Sequence, residues 1–541
     1  MKNFKYFNNE TAYNSERNGN YEEPWVSWTD GKGVDYNKTN REKPLTFRIT
    51  GAGNINWKSG TNSKTNTIKY KKNNSDWISI TSKNTGSTIS VVSGDVIQFK
   101  GTNGSFYYSY YDDDGTVQLS SGFKDCTCQF TVEGNIMSII NESNFQEISE
   151  LTSGNTYVFW ELFKGCTGLI DVSNLIIPAT TLQMNCYNRM FKGCTGLTNV
   201  SKLKLPATTL ADSCYSNMFE GCTGLTMPPT LPATTLNWNC YRSMFSGCTS
   251  LVTAPELPAT TLAKDCYDNM FQGCTSLTTA PVLPATTLAN SCYSNMFEGC
   301  TGLTMPPTLP ATTLTDWCYN NMFKDCTGLT TAPELPVTTL TDYCYSNMFQ
   351  GCTSLTTAPV LPATTLTVAC YQYMFEGCTG LTTAPELPGT YAVDACYRGM
   401  FKDCTGLTTA PTLPRNAAQN CYSHMFQGCT NLTTAPELPA TNLPTNCYEY
   451  MFYGCTSLTT APELPATRLD NYYCYRYMFY GCSSLNYIKA MFTTTPSNSY
   501  TQNWVDGVSA TGTFVKNASA TWTTTGTNGV PSGWTIQTAT E

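Results

Sequence analysis

Cysteine and glutamate are the residues whose type and spacing could do chemistry in this chain. There are 27 cysteines and a single histidine, His424. Regular thiols can form disulfides, hold zinc or pack as small apolar groups. Glutamates recur at Glu256, Glu334, Glu386, Glu437 and Glu463. Paired carboxylates can hydrolyse glycosides, but a row set by repetition is more simply a solvated face that discourages strand pairing. One histidine nearly removes His-dependent catalysis and His-rich metal sites, and His424 falls at a variable, outward position. The chain has no G-x-S-x-G, no phosphate-binding loop and no HExxH. The acidic DDDG at Asp112 to Gly115 lacks the Glu and spacing of an EF-hand loop, so it reads as a hairpin turn. No catalytic residue, metal ligand or cofactor is expected.

The elements that position the cysteines are repeats. One cysteine recurs at Cys166, Cys194, Cys222, Cys248, Cys274, Cys300, Cys326, Cys352, Cys378, Cys404, Cys429, Cys455 and Cys482, mostly 26 residues apart. A second precedes it by eight residues from Cys186 to Cys474, and only Cys126 and Cys128 stand outside the pattern. The unit reads C-Y-x-x-M-F-x-G-C-T-x-L-T-T-A-P-x-L-P-A-T-T-L. In Cys214 to Cys222 the positions i, i+4 and i+8 are Cys, Met and Cys, which predicts one face of a short helix. The segment LTTAPELP predicts an extended stretch, because Thr favours strand and Pro forbids helix. One unit cannot offset the entropy of ordering its own backbone, so neighbours must share faces in a solenoid. Eight helical residues span about 12 Å, whereas a disulfide needs Cα atoms within about 7 Å. Two thiols so placed also cannot reach one zinc ion. A ladder of buried thiols is the expectation.

Composition sets further bounds. The chain has 541 residues, net charge −8 and only 13% charged residues. That balance argues against a nucleic-acid groove, which needs clustered Lys and Arg. No segment has the apolar length of a membrane span or a secretory signal, so folding in a reducing cytosol is expected. Residues 1–43 are polar, either a flexible arm or a segment that anchors to a partner particle through Trp25 and Trp28. Residues 44–135 alternate in the β manner between turn clusters and predict an Ig-like or jelly-roll-like β-sandwich that caps the first repeat. Residues 136–490 hold about 13 repeats, and residues 491–541, with Trp504, Trp522 and Trp534, predict a small β cap.

The pattern MFxGCTxL followed by LxxAPxLP resembles the BspA-like, treponemal-type leucine-rich repeats of bacterial surface proteins and gut phage proteins. A period near 26 lies in the 20–29 window of leucine-rich repeats. The entry segment Gly134 to Leu169 and the tail TFVKNASATWTTTGTNGVPSGWTIQTA resemble flanks of the same proteins. The N-terminal YEEPWVSWTDGKGVDYNK resembles leader segments of virion proteins from phages of gut Bacteroidales. The fold expected is a leucine-rich-repeat solenoid, with one short strand and one short helix per repeat, a β-sandwich-like N-terminal domain and a small β C-terminal cap.

In such an array the framework repeats and the binding surface varies. The three residues before each CY vary most and include Trp238, Trp317 and Tyr343. Aromatics accumulate toward the C-terminus as Tyr450, Tyr453, Tyr472, Tyr473, Tyr477 and Tyr480. They either pack against the closing module or form an exposed patch for sugar rings or a protein ligand. The function expected is non-enzymatic adhesion. The resemblance implies a virion fibre or structural protein, joined to other virion proteins through its N-terminal region. Its repeats would bind a host cell-surface glycan or protein. The alternative is a bacterial cell-surface adhesin. Neither nucleic acid nor membrane insertion is expected, and a homo-oligomer is compatible with this reading.

Overall fold

The computed structural model describes residues 36–58, 67–81, 87–102 and 121–540. Trp25, Trp28 and the DDDG turn lie outside the described residues. A short helix α1 (Tyr36–Glu42) leads into β1 (Leu45–Ile49), β2 (Gly53–Lys58), β3 (Thr67–Lys72), β4 (Ile78–Thr81), β5 (Ser87–Val91), β6 (Val96–Gly101), β7 (Gly122–Phe123) and β8 (Phe130–Asn135). The array begins with β9 (Leu169–Ile176) and ends with β10 (Tyr487–Ala490), β11 (Thr513–Lys516) and β12 (Thr535–Thr538).

The alternation in β1 places Leu45, Phe47 and Ile49 inward and Arg48 outward. Phe47 contacts Phe99, Phe123 and Phe130 with ring centroids 4.7–4.8 Å apart. Through Phe123, a three-stranded sheet (β5-β2-β7) faces a six-stranded one (β4-β3-β6-β1-β8-β9) across an aromatic core. The larger sheet is not confined to residues 44–135, as a separate sandwich domain would be. Its last strand, β9, belongs to the first coil and pairs in parallel with β8. The junction also carries a buried ion cluster. Glu161 receives Lys124 at 3.0 Å and Lys164 at 2.6 Å.

The expected arm is in part a docked element. The α1 helix makes contacts with β8 and β9. Arg41 Nε donates to the Gln146 carbonyl at 2.9 Å, and Asn135 Nδ2 donates to that of Arg41 at 3.2 Å.

The expected helix per repeat is absent: among the described residues, no α-helix lies in the array. The CYxxMF segment is a run of overlapping turns. The N–H groups of Cys186, Asn188, Met190, Lys192 and Cys194 bond three residues back at 3.0–3.3 Å. The intervening N–H groups of Asn185, Tyr187, Arg189, Phe191 and Gly193 donate to Asp212, Cys214, Ser216, Met218 and Glu220 of the next coil at 2.7–3.0 Å. Every fourth residue is left-handed, with φ of 58° at Asn185, 56° at Arg189 and 73° at Gly193. That conformation excludes an α-helix and explains the Asn and Gly at these positions. The resulting period is four residues, two inward and two outward. Over nine residues it is hard to tell from the 3.6 of a helix.

The inward pairs stack into ladders. Phe191, Phe219, Phe245 and their equivalents stack at 5.4–5.8 Å, and a parallel tyrosine ladder from Tyr187 to Tyr475 stacks at 5.7–6.2 Å. The extended segments pair by isolated parallel bridges such as Thr253↔Thr279 and Thr331↔Thr357. Their prolines remove the N–H groups a continuous strand would need.

All 27 cysteines are buried and free. The second cysteine of each coil also donates its thiol to the phenylalanine carbonyl of the coil before. Cys222 reaches Phe191 at 3.1 Å and Cys300 reaches Phe271 at 3.0 Å. Burial pushes both thiols up to about 12, so they stay protonated and able to donate.

The C-terminal cap begins as one more coil without cysteines. Tyr477 and Phe479 donate to the carbonyls of Gln502 and Trp504, and Asn503 is left-handed at φ 51°. Beyond it, Asn503 N donates to Asn528 Oδ1 at 2.7 Å, and Trp504 Nε1 to Gly529 O at 3.0 Å. These bonds seal the turn column. Trp522 and Trp534 are buried and donate to Phe492 O and Ser509 O.

Candidate recognition surface

Coil-to-coil stacking turns each outward position into a column of side chains. One column follows the left-handed residue of CYxxMF. It runs Asn269, Asn295, Asn321, Asn347, Tyr373, Gly399, His424, Tyr450, Tyr477. Its first half is an amide ladder, with Asn321 Nδ2 donating to Asn295 Oδ1 at 2.9 Å. Its second half is aromatic. His424 stacks on Tyr450 at 4.7 Å, and Tyr450 on Tyr477 at 4.8 Å. Gly399 interrupts the column because the Tyr373 ring lies over it, where a Cβ would meet Tyr373 Cε1 at 2.0 Å.

The neighbouring column follows the phenylalanine. It carries complementary pairs from coil to coil. Lys192 meets Glu220 at 2.7 Å, Glu298 takes Gln272 at 2.8 Å and Lys324 at 3.0 Å, and Glu376 takes Lys402 at 2.6 Å. At its C-terminal end the charges give way to Tyr453 and Tyr480, stacked at 4.9 Å. The two columns meet as Tyr450 beside Tyr453, and Tyr477 beside Tyr480, each at 5.7 Å.

The structure therefore brings Tyr450, Tyr453, Tyr477 and Tyr480 into one half-exposed block. The first coil of the closing module stacks on the Tyr477 end of this block, with Tyr477 N donating to Gln502 O at 2.9 Å and Asn503 Nδ2 donating to the Tyr477 hydroxyl at 3.3 Å, while all four rings stay half-exposed. Tyr473 adjoins the block through Arg476, whose guanidinium lies over Tyr473, Tyr450 and Tyr477 at 4.5, 5.7 and 5.6 Å, and Tyr472 lies 6.2 Å from Tyr473. Tyr472 is 64% exposed. Trp317 and Tyr343 form a separate pair stacked at 3.9 Å, several coils away. Trp238 stands further off, exposed, with Lys264 over its ring at 5.1 Å.

Sequence reading missed Arg476, Tyr373 and the place of His424. His424 is half-buried, not solvated, and bonds Gln427 at 2.5 Å. Burial lowers its pKa, partly opposed by that bond. Aligning the second residue after each CY shows Tyr, Gly, His, Tyr, Tyr replacing Asn, and that column was the available signal. The glutamates of the extended segments are exposed and lie in single file. Among the described residues, no group of three or more His, Cys, Asp or Glu side chains could hold a metal ion. Likewise no helix is long and apolar enough to cross a membrane.

The family description "BspA type Leucine rich repeat region (6 copies)" matches overlapping stretches that together run from residue 161 to 503. The chain belongs to the BspA-type leucine-rich repeat family. Leucine-rich-repeat proteins of this kind are generally non-enzymatic recognition scaffolds, and BspA-type members are typically surface-exposed. A leucine-rich repeat protein from Eubacterium ventriosum is 15% identical, with 70% of this chain and 90% of that one covered, at a TM-score of 0.32. A TLR13–ssRNA13 complex is also 15% identical, with 63% of this chain and 50% of that one covered, at a TM-score of 0.24. No curated protein matches.

Proposed function

We propose that this BspA-type chain is a non-enzymatic adhesion protein of a phage virion, contacting the surface of a gut Bacteroidales host through its outward columns. The observation that carries the adhesive reading is the tyrosine block. Tyr450, Tyr453, Tyr477 and Tyr480 are half-exposed on a backbone held by coil-to-coil hydrogen bonds. Presenting rigid aromatic side chains costs little further entropy on binding. The charged outward column pairs its own Lys and Glu side chains from coil to coil, so it offers no run of unpaired cations for a phosphate backbone. The virion placement is supported by the resemblance of the flanks.

Replacing Tyr450, Tyr453 and Tyr477 together with Ala is expected to reduce attachment to host cells at least tenfold; undiminished attachment would count against the block. Removing residues 1–35, and leaving the docked α1 helix in place, is expected to abolish incorporation into virions while the array stays folded. A bacterial surface adhesin is the second reading, favoured by the family match. Mass spectrometry of purified virions beside surface-shaved cells separates the two, since peptides found only on shaved cells would select the adhesin.

A further inference from the structure

We infer that Arg476 is the anion-binding point of this face, and that the ligand is an acidic polysaccharide bearing carboxylate or sulfate groups. The inference rests on the adhesive reading above and names the ligand class for the same surface.

The rings of the block do not offer their faces. His424, Tyr450 and Tyr477 cover one another at 4.7–4.8 Å, as do Tyr453 and Tyr480 at 4.9 Å. A sugar ring cannot stack where another ring already lies. What points outward is ring edge and phenol hydroxyl. Aromatic edges carry partial positive charge, and the hydroxyls can donate. Both suit an acceptor-rich, negative ligand.

Arg476 stands at the centre of this edge surface. Its Nε meets Glu449 Oε1 at 2.7 Å, with Glu449 nearly buried. Three tyrosine rings flank the guanidinium at 4.5–5.7 Å. The side chain keeps 28% of its surface exposed. A guanidinium pinned in this way gives up little freedom when its outer fork takes a carboxylate or sulfate in two parallel bonds. The same face carries Arg398 over Tyr373 at 5.9 Å. Arg398 lies three coils before Arg476, roughly 14 Å at about 4.8 Å per coil. Two cations spaced along one column fit a polymer with repeated charges. The overall −8 opposes any polyanion, so binding here would depend on the local Arg476 and Arg398 and is expected to be weak and salt-sensitive.

Two observations favour a saccharide over an acidic peptide. Just before Tyr472 in the chain, Arg468 and Asp470, ion-paired at 3.2 Å, line a groove of about 280 Å³ with Thr441, Asn442, Leu443 and Thr467. Hydroxyl, amide and ionic groups dominate that lining and match sugar hydroxyls. Tyr472, between Arg468 and Arg476 in the chain and 64% exposed, meets Tyr473 at 6.2 Å with the rings tilted by 47°, not stacked face to face. Its ring face is free for a sugar.

The test uses the full chain with three probes: oligogalacturonate, dextran sulfate and neutral dextran. Calorimetry is expected to give saturable binding of at least one acidic probe and none of neutral dextran, and the stronger of the two identifies the acid. Arg476→Lys keeps the charge and loses the fork, so a tenfold or greater loss of affinity is expected with an unchanged thermal melt. Tyr472→Ala is expected to weaken binding severalfold. Equal binding of neutral dextran, or an unaffected Arg476→Lys variant, would overturn the inference. So would polyglutamate binding as well as the acidic glycans with the same dependence on Arg476, which would make the ligand a protein. Cell attachment that fails in the triple tyrosine variant, yet ignores Arg476→Lys and excess acidic oligosaccharide, would sink this inference and leave adhesion standing. Arg476-dependent binding of an acidic probe by a chain that attaches to no cell would keep the anion site and remove adhesion.

Discussion

Ala395 offers a direct test of the turn ladder against a helix, because the two predict opposite signs for one substitution. Ala395 is half-buried and left-handed, with φ 53°. Its N–H donates to Gln419 O at 2.9 Å, and its carbonyl accepts from Arg398 N at 3.1 Å. Glycine keeps both bonds. A left-handed alanine costs about 1–2 kcal/mol. Glycine removes that strain but returns about 0.4–1 kcal/mol through a freer unfolded chain, and the lost methyl takes back a few tenths more. The sum is a stabilisation of about 0.5 kcal/mol for Ala395→Gly, or roughly twofold in local opening. In a helix interior the same change would destabilise by about 1 kcal/mol, roughly fivefold the other way. Hydrogen exchange read by mass spectrometry on the peptide spanning residues 390–405 resolves this difference. A clear loss of protection there would refute the turn ladder. Gly399→Ala is the matched control. Gly399 has φ 59°, and a methyl there would meet the Tyr373 ring at 2.0 Å. Its protection is expected to fall.

Other parts of the fold have equally definite tests. Burial raises the Glu161 carboxyl, but Lys124 and Lys164 outweigh it and hold the group at about 2, against 4.5 when free. Its stabilisation is therefore complete above pH 4.5 and lost as pH falls toward 2, so acid is expected to loosen the junction, read by the fluorescence of the buried Trp160. Glu161→Gln leaves buried Lys124 short of its partner and is expected to cost about 3–5 kcal/mol in guanidinium unfolding at neutral pH; a loss under 1 kcal/mol would remove the cluster from the account. Phe297→Ala breaks the ring stack in mid-array and is expected to cost about 3–5 kcal/mol, with protection lost first in the flanking coils. A thiol reagent is expected to label the native protein slowly and to count 27 thiols after denaturation, and a lower count would mean that the cysteines are cross-linked.

The repeat unit, its boundaries and its inward residues were legible because burial selects residue type at each position. Cys, Tyr, Met, Phe and Leu recur where the structure buries them, coil after coil. The backbone was not legible. Cys214, Met218 and Cys222 satisfy a period of four as well as one of 3.6, and the inward residues alone do not break the tie. The deciding signal was the Asn, Ser or Gly at every fourth position, which a left-handed turn wants and a helix does not. The last coil escaped notice because Trp504 fills the core there and no cysteine marks it. At the other end, the strand pairing of β8 with β9 joins residues that the hydrophobic alternation had assigned to separate domains.

The candidate face was half legible for a related reason. Variable residues mark a surface, but a linear reading treats them as neighbours in sequence, whereas the solenoid makes them neighbours in column. Tyr472 and Tyr473 are adjacent in the chain, yet the ring that lies flat on Tyr450 is Tyr477, a whole coil later. Trp317 finds Tyr343 by the same rule, and Trp238 finds only Lys264 because the next coil offers no ring. What a column presents depends on its composition. Two of the asparagines link by their amides, the charged residues neutralise one another, and the tyrosines cover their own faces. The same stacking that orders the tyrosine block thereby withdraws its ring faces from any ligand. If this face binds as proposed, affinity must come from the groups that stacking leaves available: the exposed ring of Tyr472 and the guanidinium of Arg476.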